Sequence, residues 1–469
     1  MHEGNEDEAA AVGGSAPTGE APVGSLPRLA WVVVAALVIV GTVVMATGSG
    51  PGQSRAAEPL PPPRPDVIIV AIDGLGTEDI GAQRTPFLDG FRAESVVYRD
   101  AYAPSPWASE ALRGLLTSQH RPAPRDSEGW APGIADELQR IGYRTALAPG
   151  HPRHALGAGD AAPVPTGYSE VLSPAGLDDP AGAEGSSVAA AALDWLERSE
   201  RPALLVVTLA DPRAPHHHYQ GGADGPDPAY EGPVESGLAH HDLLRLGPSL
   251  DAVDLAQLAA LHASEVAAAD AFTRQLVEGA RAHRGVAPVI VIAGLRRTAL
   301  GEGGRYGLVP SMEPEDLRVP LWLHVPAPGA TSPPLRGVVG APVSLLDIGP
   351  TLLSALDLLP REGLDGSSVF PGSAIPERPI RAVTSRGICA AVGLDGDRAV
   401  ILEAEPPAAL VRSRSVGEGA RKEGRWTPSG GVTGADADLR LGLARWMKRA
   451  GIQVPGGGVP DLESAPFAP

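Results

Sequence analysis

Cysteine, lysine and aromatic side chains are all scarce in this chain of 469 residues. Cys389 is its single cysteine, which excludes an intrachain disulfide framework and a cluster of thiolate metal ligands. Acidic residues outnumber basic ones by 56 to 38, so a nucleic-acid binder that relies on a basic surface is also excluded. Hydrophobic residues nevertheless make up 43% of the chain, which is enough for a globular protein with a sizeable core.

A long apolar run lies between two segments of low complexity near the N-terminus. Residues 1–28 are rich in glycine, alanine and glutamate and are predicted to form a disordered tail. Residues 29–47 carry no charge over nineteen positions, which just allows a helix to cross a hydrocarbon layer of about 30 Å. Residues 48–65 are rich in proline and glycine and are predicted to form a stalk.

Two interpretations of this apolar run are open. A cleaved signal peptide usually begins with a basic region, which is missing here because Arg28 alone precedes the run among several acidic residues. We therefore interpret residues 29–47 as an uncleaved, single-pass signal-anchor, and cleavage after Ala46 is the alternative. The basic residues on the two flanks do not predict the orientation in the membrane.

Short apolar runs alternate with amphipathic helices after the stalk. Near-continuous apolar strands are predicted at 66–72, 203–210, 288–293 and 319–326. Helices are predicted at 109–118, 132–141, 186–199, 251–282 and 343–357. This alternation predicts an α/β fold with a mainly parallel sheet, in which functional groups lie at the carboxyl ends of the strands.

The C-terminal part of the chain differs in character. Residues 376–453 are predicted to form a small α+β subdomain, because short apolar runs at 388–392 and 399–402 are typical of an antiparallel sheet. Residues 436–450 are predicted to close this subdomain as an amphipathic helix. Residues 454–469 are predicted to be a flexible tail.

An ordered set of segments resembles the sulfatase family. PDVIIVAIDGLGTEDIG, followed by TPFLDGF, VVYRDAYAPSPW and LLTS, is similar to the N-terminal half of a sulfatase. LLVVTLADPRAP, LRVPLWLHVP and APVSLLDIGPTLLSALDL then follow in the family's order. The resemblance covers residues 66–375 and implies a sulfatase-like domain with the sandwich fold of the alkaline-phosphatase superfamily. It also implies a metal-dependent hydrolase of sulfuric or phosphoric esters.

The catalytic positions that the resemblance implies are kept only in part. Asp73 matches the family's first metal-binding aspartate, whereas Gly74 replaces the second acid of many members. In the family, the nucleophile lies at a fixed distance from the segments that match SPW and LLTS here. Counting forward from SPW and back from LLTS both lead to Ala108, whose methyl group cannot attack an ester. An alignment shifted by one residue makes Ser109 the nucleophile. It also places Arg113 at the arginine of the family's Cys/Ser-x-Pro-x-Arg signature. The structural alternative makes Ser109 a helix N-cap and Arg113 a solvated surface charge.

Further family positions are changed as well. Relatives have Asp-His or Asp-Asn after the third predicted strand, where this chain has GLRR at 294–297. Arg213 stands where relatives place a catalytic histidine. The histidine triplet at 216–218 has the chemistry to bind a transition metal or supply an acid, but three adjacent histidines cannot all face one ion. A solvated loop is the favoured interpretation of this triplet, and also of His240 and His241.

These changes predict a membrane-anchored, sulfatase-like pseudoenzyme that acts in binding or scaffolding. The alternative is an active metal-dependent ester hydrolase or transferase that uses Ser109 as its nucleophile. Calcium or magnesium is the expected cofactor of an active chain, and a pseudoenzyme is expected to need none. Because calcium takes roughly six to eight oxygen ligands, Asp73 alone does not supply enough ligands to hold a calcium ion.

The expected partners are the membrane and an anionic ester, a glycan or a protein, with no nucleic acid. The resemblance, and not the charge pattern, predicts that the folded domain is periplasmic or extracellular.

Overall fold

The computed structural model describes one folded region of the chain. The described residues are 64–120, 131–156, 166–179, 182–219, 225–308, 311–327 and 334–384, the backbone of five strands between 389 and 426, and a few positions within 439–446. The predicted N-terminal tail, transmembrane helix and C-terminal tail lie outside the described residues, as does nearly all of the stalk. Within the described part, no helix combines the length and the apolar character needed to cross a membrane.

An eight-stranded sheet forms the centre of the described region. Its strands, in spatial order, are β12 (Gly337–Val339), β2 (Val96–Tyr98), β11 (Leu321–His324), β7 (Val289–Arg297), β1 (Val67–Gly74), β6 (Ala203–Leu209), β4 (Arg144–Ala148) and β5 (Glu170–Val171). The five strands from β7 to β5 run parallel, which confirms the predicted mainly parallel sheet. The strand predicted at 319–326 departs from this pattern, because β11 pairs with β7 in the antiparallel direction.

The other described strands form four smaller sheets. A three-stranded sheet contains β3 (Ala101–Tyr102), β10 (Arg318–Val319) and β13 (Val343–Ser344), and a four-stranded sheet contains β14 (Ile380–Thr384), β15 (Cys389–Asp395), β16 (Arg398–Glu405) and β17 (Leu410–Val416). Two strand pairs are formed by β8 (Ala299–Leu300) with β9 (Tyr306–Gly307) and by β18 (Arg421–Lys422) with β19 (Arg425–Trp426). The sheet from β14 to β17 is antiparallel, as expected of the C-terminal part. Leu439, Leu443 and Trp446, which lie within the helix predicted at 436–450, are buried.

Four helices, at 86–93, 152–156, 240–246 and 314–317, were not predicted, and the other five of the nine α-helices in the described part lie at the predicted places. The nine are α1 (Pro86–Ala93), α2 (Ala108–Thr117), α3 (Ile134–Arg140), α4 (Pro152–Leu156), α5 (Gly185–Glu197), α6 (His240–Leu246), α7 (Ala252–Ala282), α8 (Pro314–Leu317) and α9 (Ile348–Ala355). The helix predicted at 343–357 is shorter than expected, because β13 and a 3₁₀ turn precede α9.

The central strands are covered on both faces, as their continuous apolar sequence predicts. Alternate residues of β1 point to opposite sides, so Val67, Ile69 and Ala71 belong to one core layer and Ile68, Val70 and Ile72 to the other. Helices α2 and α9 contribute to the first layer, and α5 and α7 to the second. The carboxyl ends of β1, β6 and β7 therefore meet at one edge, where the candidate site lies.

Candidate active site and metal cluster

Asp73, the predicted metal ligand, lies at the carboxyl end of β1, where the strand register shifts. The parallel pairing of β1 with β7 changes after Ile72, and this places Asp73 opposite Arg296. Gly74 follows with φ of +97°, and a Cβ atom there would lie 2.4 Å from the carbonyl oxygen of Pro212. Since this backbone conformation favours glycine and the space is filled, the second acid of many relatives has no room here.

Three basic side chains surround the Asp73 carboxylate, which is 1% exposed. Arg296 donates from Nε to Oδ1 at 2.7 Å and from Nη2 to Oδ2 at 3.4 Å. Nε of Arg213 lies 3.5 Å from Oδ2, and Nε2 of His154 lies 3.3 Å from the same oxygen. Burial alone would raise the pKa of Asp73, but Arg296, the hydrogen bond from His154 and Arg213 hold it well below its usual value.

His154 reaches Asp73 from helix α4, which follows strand β4. Its Nδ1 lies 3.0 Å from the hydroxyl of Thr208 on β6, and that hydroxyl accepts a hydrogen bond from the backbone N–H of Gly150. Burial lowers the pKa of His154 in spite of the nearby carboxylate, so its ring is neutral. The ring is thus positioned between β1 and β6 as a hydrogen-bonding partner of Asp73.

These surroundings do not fit a calcium or magnesium ion. Both are hard cations that bind oxygen ligands, and calcium takes at least six of them. The described partners of Asp73 are instead nitrogen donors, and the guanidinium groups of Arg296 and Arg213 would repel a cation. The positive charge that an ion would bring to Asp73 comes here from arginine.

Helix α2 carries the two candidate positions for the nucleophile. It begins at Ala108, with Trp107 as N-cap residue, and Ser109 is the only one of its ten residues that is not buried. The interpretation of Ser109 as the N-cap is therefore wrong by two positions. Arg113 is 4% exposed and not a solvated surface charge, because α2 is enclosed by the core on nearly all sides. The catalytic roles considered for Ser109 and Arg113 stay predictions.

The histidine triplet after β6 is divided between the interior and the surface. His216 is 3% exposed, whereas His217 and His218 are exposed. The interpretation as a solvated loop is thus right for two members of the triplet and wrong for His216. The pair on α6 divides similarly, because Nε2 of the half-buried His240 accepts a hydrogen bond from the backbone N–H of Leu308 at 2.9 Å while His241 is exposed.

His216 belongs to a buried cluster with three residues from two other segments. Its Nδ1 lies 2.5 Å from Oε2 of Glu265, whose Oε1 accepts a hydrogen bond from the backbone N–H of His217. Nε2 of His262 lies 3.3 Å from both carboxylate oxygens of Asp79. The rings of His216 and His262 are 5.5 Å apart in an edge-on arrangement. One donor atom each from His216, His262 and Glu265 lies within 4.8 Å of the other two.

The surroundings of this cluster shift the pKa values of its members in different directions. Burial lowers the pKa of His216 well below the usual value and raises the pKa of Glu265 well above it. Burial would also raise the pKa of Asp79, but the adjacent His262 and the backbone N–H of Gly76 lower it overall. The pKa values of the two carboxyl groups of the cluster are therefore shifted in opposite directions.

A cleft of about 590 Å³ opens beside the turn that follows β1. Four arginines and three glutamates are among its lining residues, which include Arg92, Arg99, Arg297, Arg318, Glu78, Glu302 and Glu315. Arg297 is bound to Glu78 at 2.8 Å and to Glu302 at 2.6 Å, while Arg99 is exposed. The cleft therefore offers a polar surface with basic groups near the candidate site.

Several residues of the site escaped the sequence predictions. His154 had a usable signal, since it follows β4 at the edge where the other strands end. Glu265 also had one, because it lies one turn after His262 on a predicted helix and hence on the same face. Asp79 had no such signal, as its role depends on tertiary contact with His262.

Comparisons with known proteins agree with this architecture. The sequence profile of the sulfatase family matches residues 65–358. A search of curated proteins finds no match.

Solved structures of low sequence identity share the fold. A protein in complex with its substrate D-glucosamine-2-N,6-O-disulfate is 15% identical, with a TM-score of 0.61 over 84% of this chain and 99% of that one. The phosphonate monoester hydrolase of Agrobacterium radiobacter is 17% identical, with a TM-score of 0.59 over 82% and 95% of the two chains. A 2-O GAG sulfatase is 12% identical, with a TM-score of 0.60 over 83% and 93%.

Proposed function

Because this chain belongs to the sulfatase family, we propose that it is a membrane-anchored, sulfatase-like pseudoenzyme that binds an anionic ligand without hydrolysing it. The observation that carries the proposal is the buried ion pair between Asp73 and Arg296. In an active member this aspartate binds the metal ion. Here its charge is balanced by arginine, and an ion at this position would have to displace a buried guanidinium group.

The lost nucleophile supports the same proposal. Ala108 occupies the start of α2, and its methyl group has no lone pair with which to attack an ester. Removal of the nucleophile alone costs on the order of a million-fold in rate in a well-studied hydrolase triad. Ser109 is the available hydroxyl on this helix, but the described partners of Asp73 are Arg296, Arg213 and His154 rather than Ser109.

An ester-hydrolysis assay tests the proposal directly. Full-length protein is incubated with an aryl sulfate or an aryl phosphate in the presence of calcium, magnesium, manganese or zinc. We expect no turnover above that of buffer, and no thermal shift with calcium or magnesium. Turnover that disappears in both Asp73→Ala and Ser109→Ala, but persists in the matched control Ser187→Ala, would instead establish a hydrolase that uses Ser109.

The proposed ligand is a sulfated glycan, which combines an anionic ester with a polyhydroxyl surface. Arginine is suited to such groups, and the exposed Arg99 lines the cleft beside the site. One structural relative was solved with a disulfated glucosamine as its substrate.

Binding of a heparin-type oligosaccharide should weaken about tenfold or more in Arg99→Gln and stay unchanged in Arg140→Gln, an exposed arginine on α3. Equal affinities of both variants and the wild type would exclude the cleft as the binding surface.

We further propose that residues 29–47 anchor the protein and that the folded domain lies outside the cytoplasm. The uncharged run supports the anchor. The resemblance to the sulfatase family supports the proposed location of the folded domain outside the cytoplasm.

A further inference from the structure

We propose that His216, His262 and Glu265 form a binding site for a transition-metal dication of the zinc class. These residues are separate from the side chains that surround Asp73. The inference is independent of the proposed lack of hydrolysis, because such an ion would link segments of the fold whether or not the chain is an enzyme.

The donor set matches the chemistry of such an ion. Zinc and the neighbouring divalent transition metals favour imidazole nitrogen, with a carboxylate oxygen as a common further ligand. Calcium and magnesium favour oxygen alone, so two histidines argue against them. The three donor atoms lie within 4.8 Å of one another, so the three side chains can hold a single ion once Glu265 exchanges its contact with Nδ1 of His216 for the ion.

Two ring nitrogens in the cluster are buried and have no hydrogen-bond partner among the described residues. They are Nε2 of His216 and Nδ1 of His262, and both side chains are less than 4% exposed. A buried polar atom without a partner costs about 1–3 kcal/mol, so such atoms are rare in folded proteins. A bound cation would give both nitrogens a partner.

The opposite nitrogen of His262 already has the partner that metal-binding histidines usually have, because Asp79 lies against Nε2 of that ring. A carboxylate at this position orients the ring and increases the basicity of its other nitrogen. Asp79 is itself fixed by the backbone N–H of Gly76 at 2.7 Å. It is therefore a positioning residue of the proposed site.

The site would join three parts of the chain that are distant in sequence. His216 follows β6, Asp79 follows β1, and His262 and Glu265 face the same side of the long helix α7. Ala214, in the loop after β6, belongs to the same buried hydrophobic cluster as Leu258 and Leu261 of this helix, and His216 forms a β-bridge with Leu238. Binding of an ion should stabilise this loop against α7.

Metal binding by the full-length protein tests the inference. Protein stripped with a chelator is titrated with zinc, and the metal content after dialysis and the thermal unfolding temperature are measured. We expect one zinc ion per chain and a higher unfolding temperature. Cobalt(II) in place of zinc should give visible absorption bands of a nitrogen-ligated ion. A folded wild-type chain that retains no zinc would overturn the inference.

Variants locate the ion and separate loss of binding from loss of folding. His216→Gln and His262→Gln should each lose at least a hundredfold in zinc affinity, and Asp79→Asn about 10- to 100-fold. The exposed neighbour supplies the control, since His218→Gln should bind as the wild type does. Circular dichroism without metal verifies the fold, and the three variants lie on three different segments. Zinc affinity that is lost in His218→Gln and kept in His216→Gln and His262→Gln would place the ion on the surface and refute the site.

Discussion

At the scale of single residues, Asp73 is the buried counter-ion of two arginines. Its carboxylate balances the buried guanidinium of Arg296 and the charge of Arg213. Removal of one partner from a buried ion pair costs about 3–5 kcal/mol, because the other charge remains buried. We expect Asp73→Asn to lower the free energy of unfolding by this amount, as measured by urea denaturation.

A matched exchange at the surface serves as the control. Asp357 is exposed, so Asp357→Asn should change the free energy of unfolding by less than about 0.5 kcal/mol. Equal stabilities of Asp73→Asn and the wild type would show that Asp73 is not the counter-ion of these arginines. Equal stabilities are the result expected of a carboxylate that serves as a metal ligand and is not paired with arginine.

His240 gives the molecule a specific dependence on pH. Burial, with Arg296 and Arg213 nearby, lowers the pKa of His240 to about 4, and its neutral Nε2 accepts the hydrogen bond from Leu308. The unfolded chain protonates this ring near its ordinary pKa of about 6.5. The unfolded state therefore binds the proton first, and the contribution of His240 to stability is complete above pH 6.5 and lost as the pH falls toward 4.

A histidine-to-glutamine exchange tests this titration. The unfolding temperature of His240→Gln should fall less steeply than that of the wild type between pH 7 and pH 4.5, because glutamine does not titrate in this window. His241→Gln, at the exposed neighbouring position, should keep the wild-type slope. Identical slopes for all three proteins would contradict the assignment.

At the scale of elements, helix α7 connects much of the described domain. It contributes to one core layer and carries His262 and Glu265. Its Asp270 accepts hydrogen bonds from the backbone N–H groups of Phe87 and Leu88, so it caps the start of α1. The position of this single helix thus influences both the buried cluster and the packing of a neighbouring helix.

The N-terminus of α7 has a side-chain cap whose contribution can be measured. Asp251 accepts hydrogen bonds from the backbone N–H groups of Val253 and Asp254, and the carboxylate of Asp254 accepts one from the backbone N–H of Asp251. Loss of such a cap costs about 1 kcal/mol. Asp251→Ala should lower the free energy of unfolding by this amount in urea, while Gln275→Ala, at an exposed position within the helix, should leave it nearly unchanged.

Elements were more predictable than the contacts between them. The strands near Asp73 were recognisable because strands covered on both faces have continuous apolar sequences. The direction of β11 was not recognisable, since an antiparallel strand buried on both faces has the same composition. The partners of His216 and Asp79 were also hidden, because Glu265 and His262 are far away in sequence and meet them only after the sheet has assembled.

At the scale of the whole molecule, the chain keeps the fold of the sulfatase family. The segments that resemble sulfatases supply mostly core, and a core depends on volume and hydrophobicity, which distant relatives can share. Arg296 and Ala108 lie at single positions within that frame. The sequence predicts that the family's nucleophile and late metal ligands are absent, but the ion pair between Asp73 and Arg296 depends on the register of β1 and β7, which the sequence does not reveal.

The attachment of the molecule to a membrane is a prediction that concerns the chain as a whole. Residues 29–47 are long enough to cross the hydrocarbon layer, and transfer of so many apolar side chains out of water makes release unfavourable. The full-length chain should sediment with membranes and resist extraction by alkaline carbonate, whereas deletion of residues 29–47 should release it. Deletion of residues 1–28 is the control and should leave it bound. A soluble chain shortened by 46 residues would support cleavage after Ala46, and a soluble chain of full length would refute the anchor.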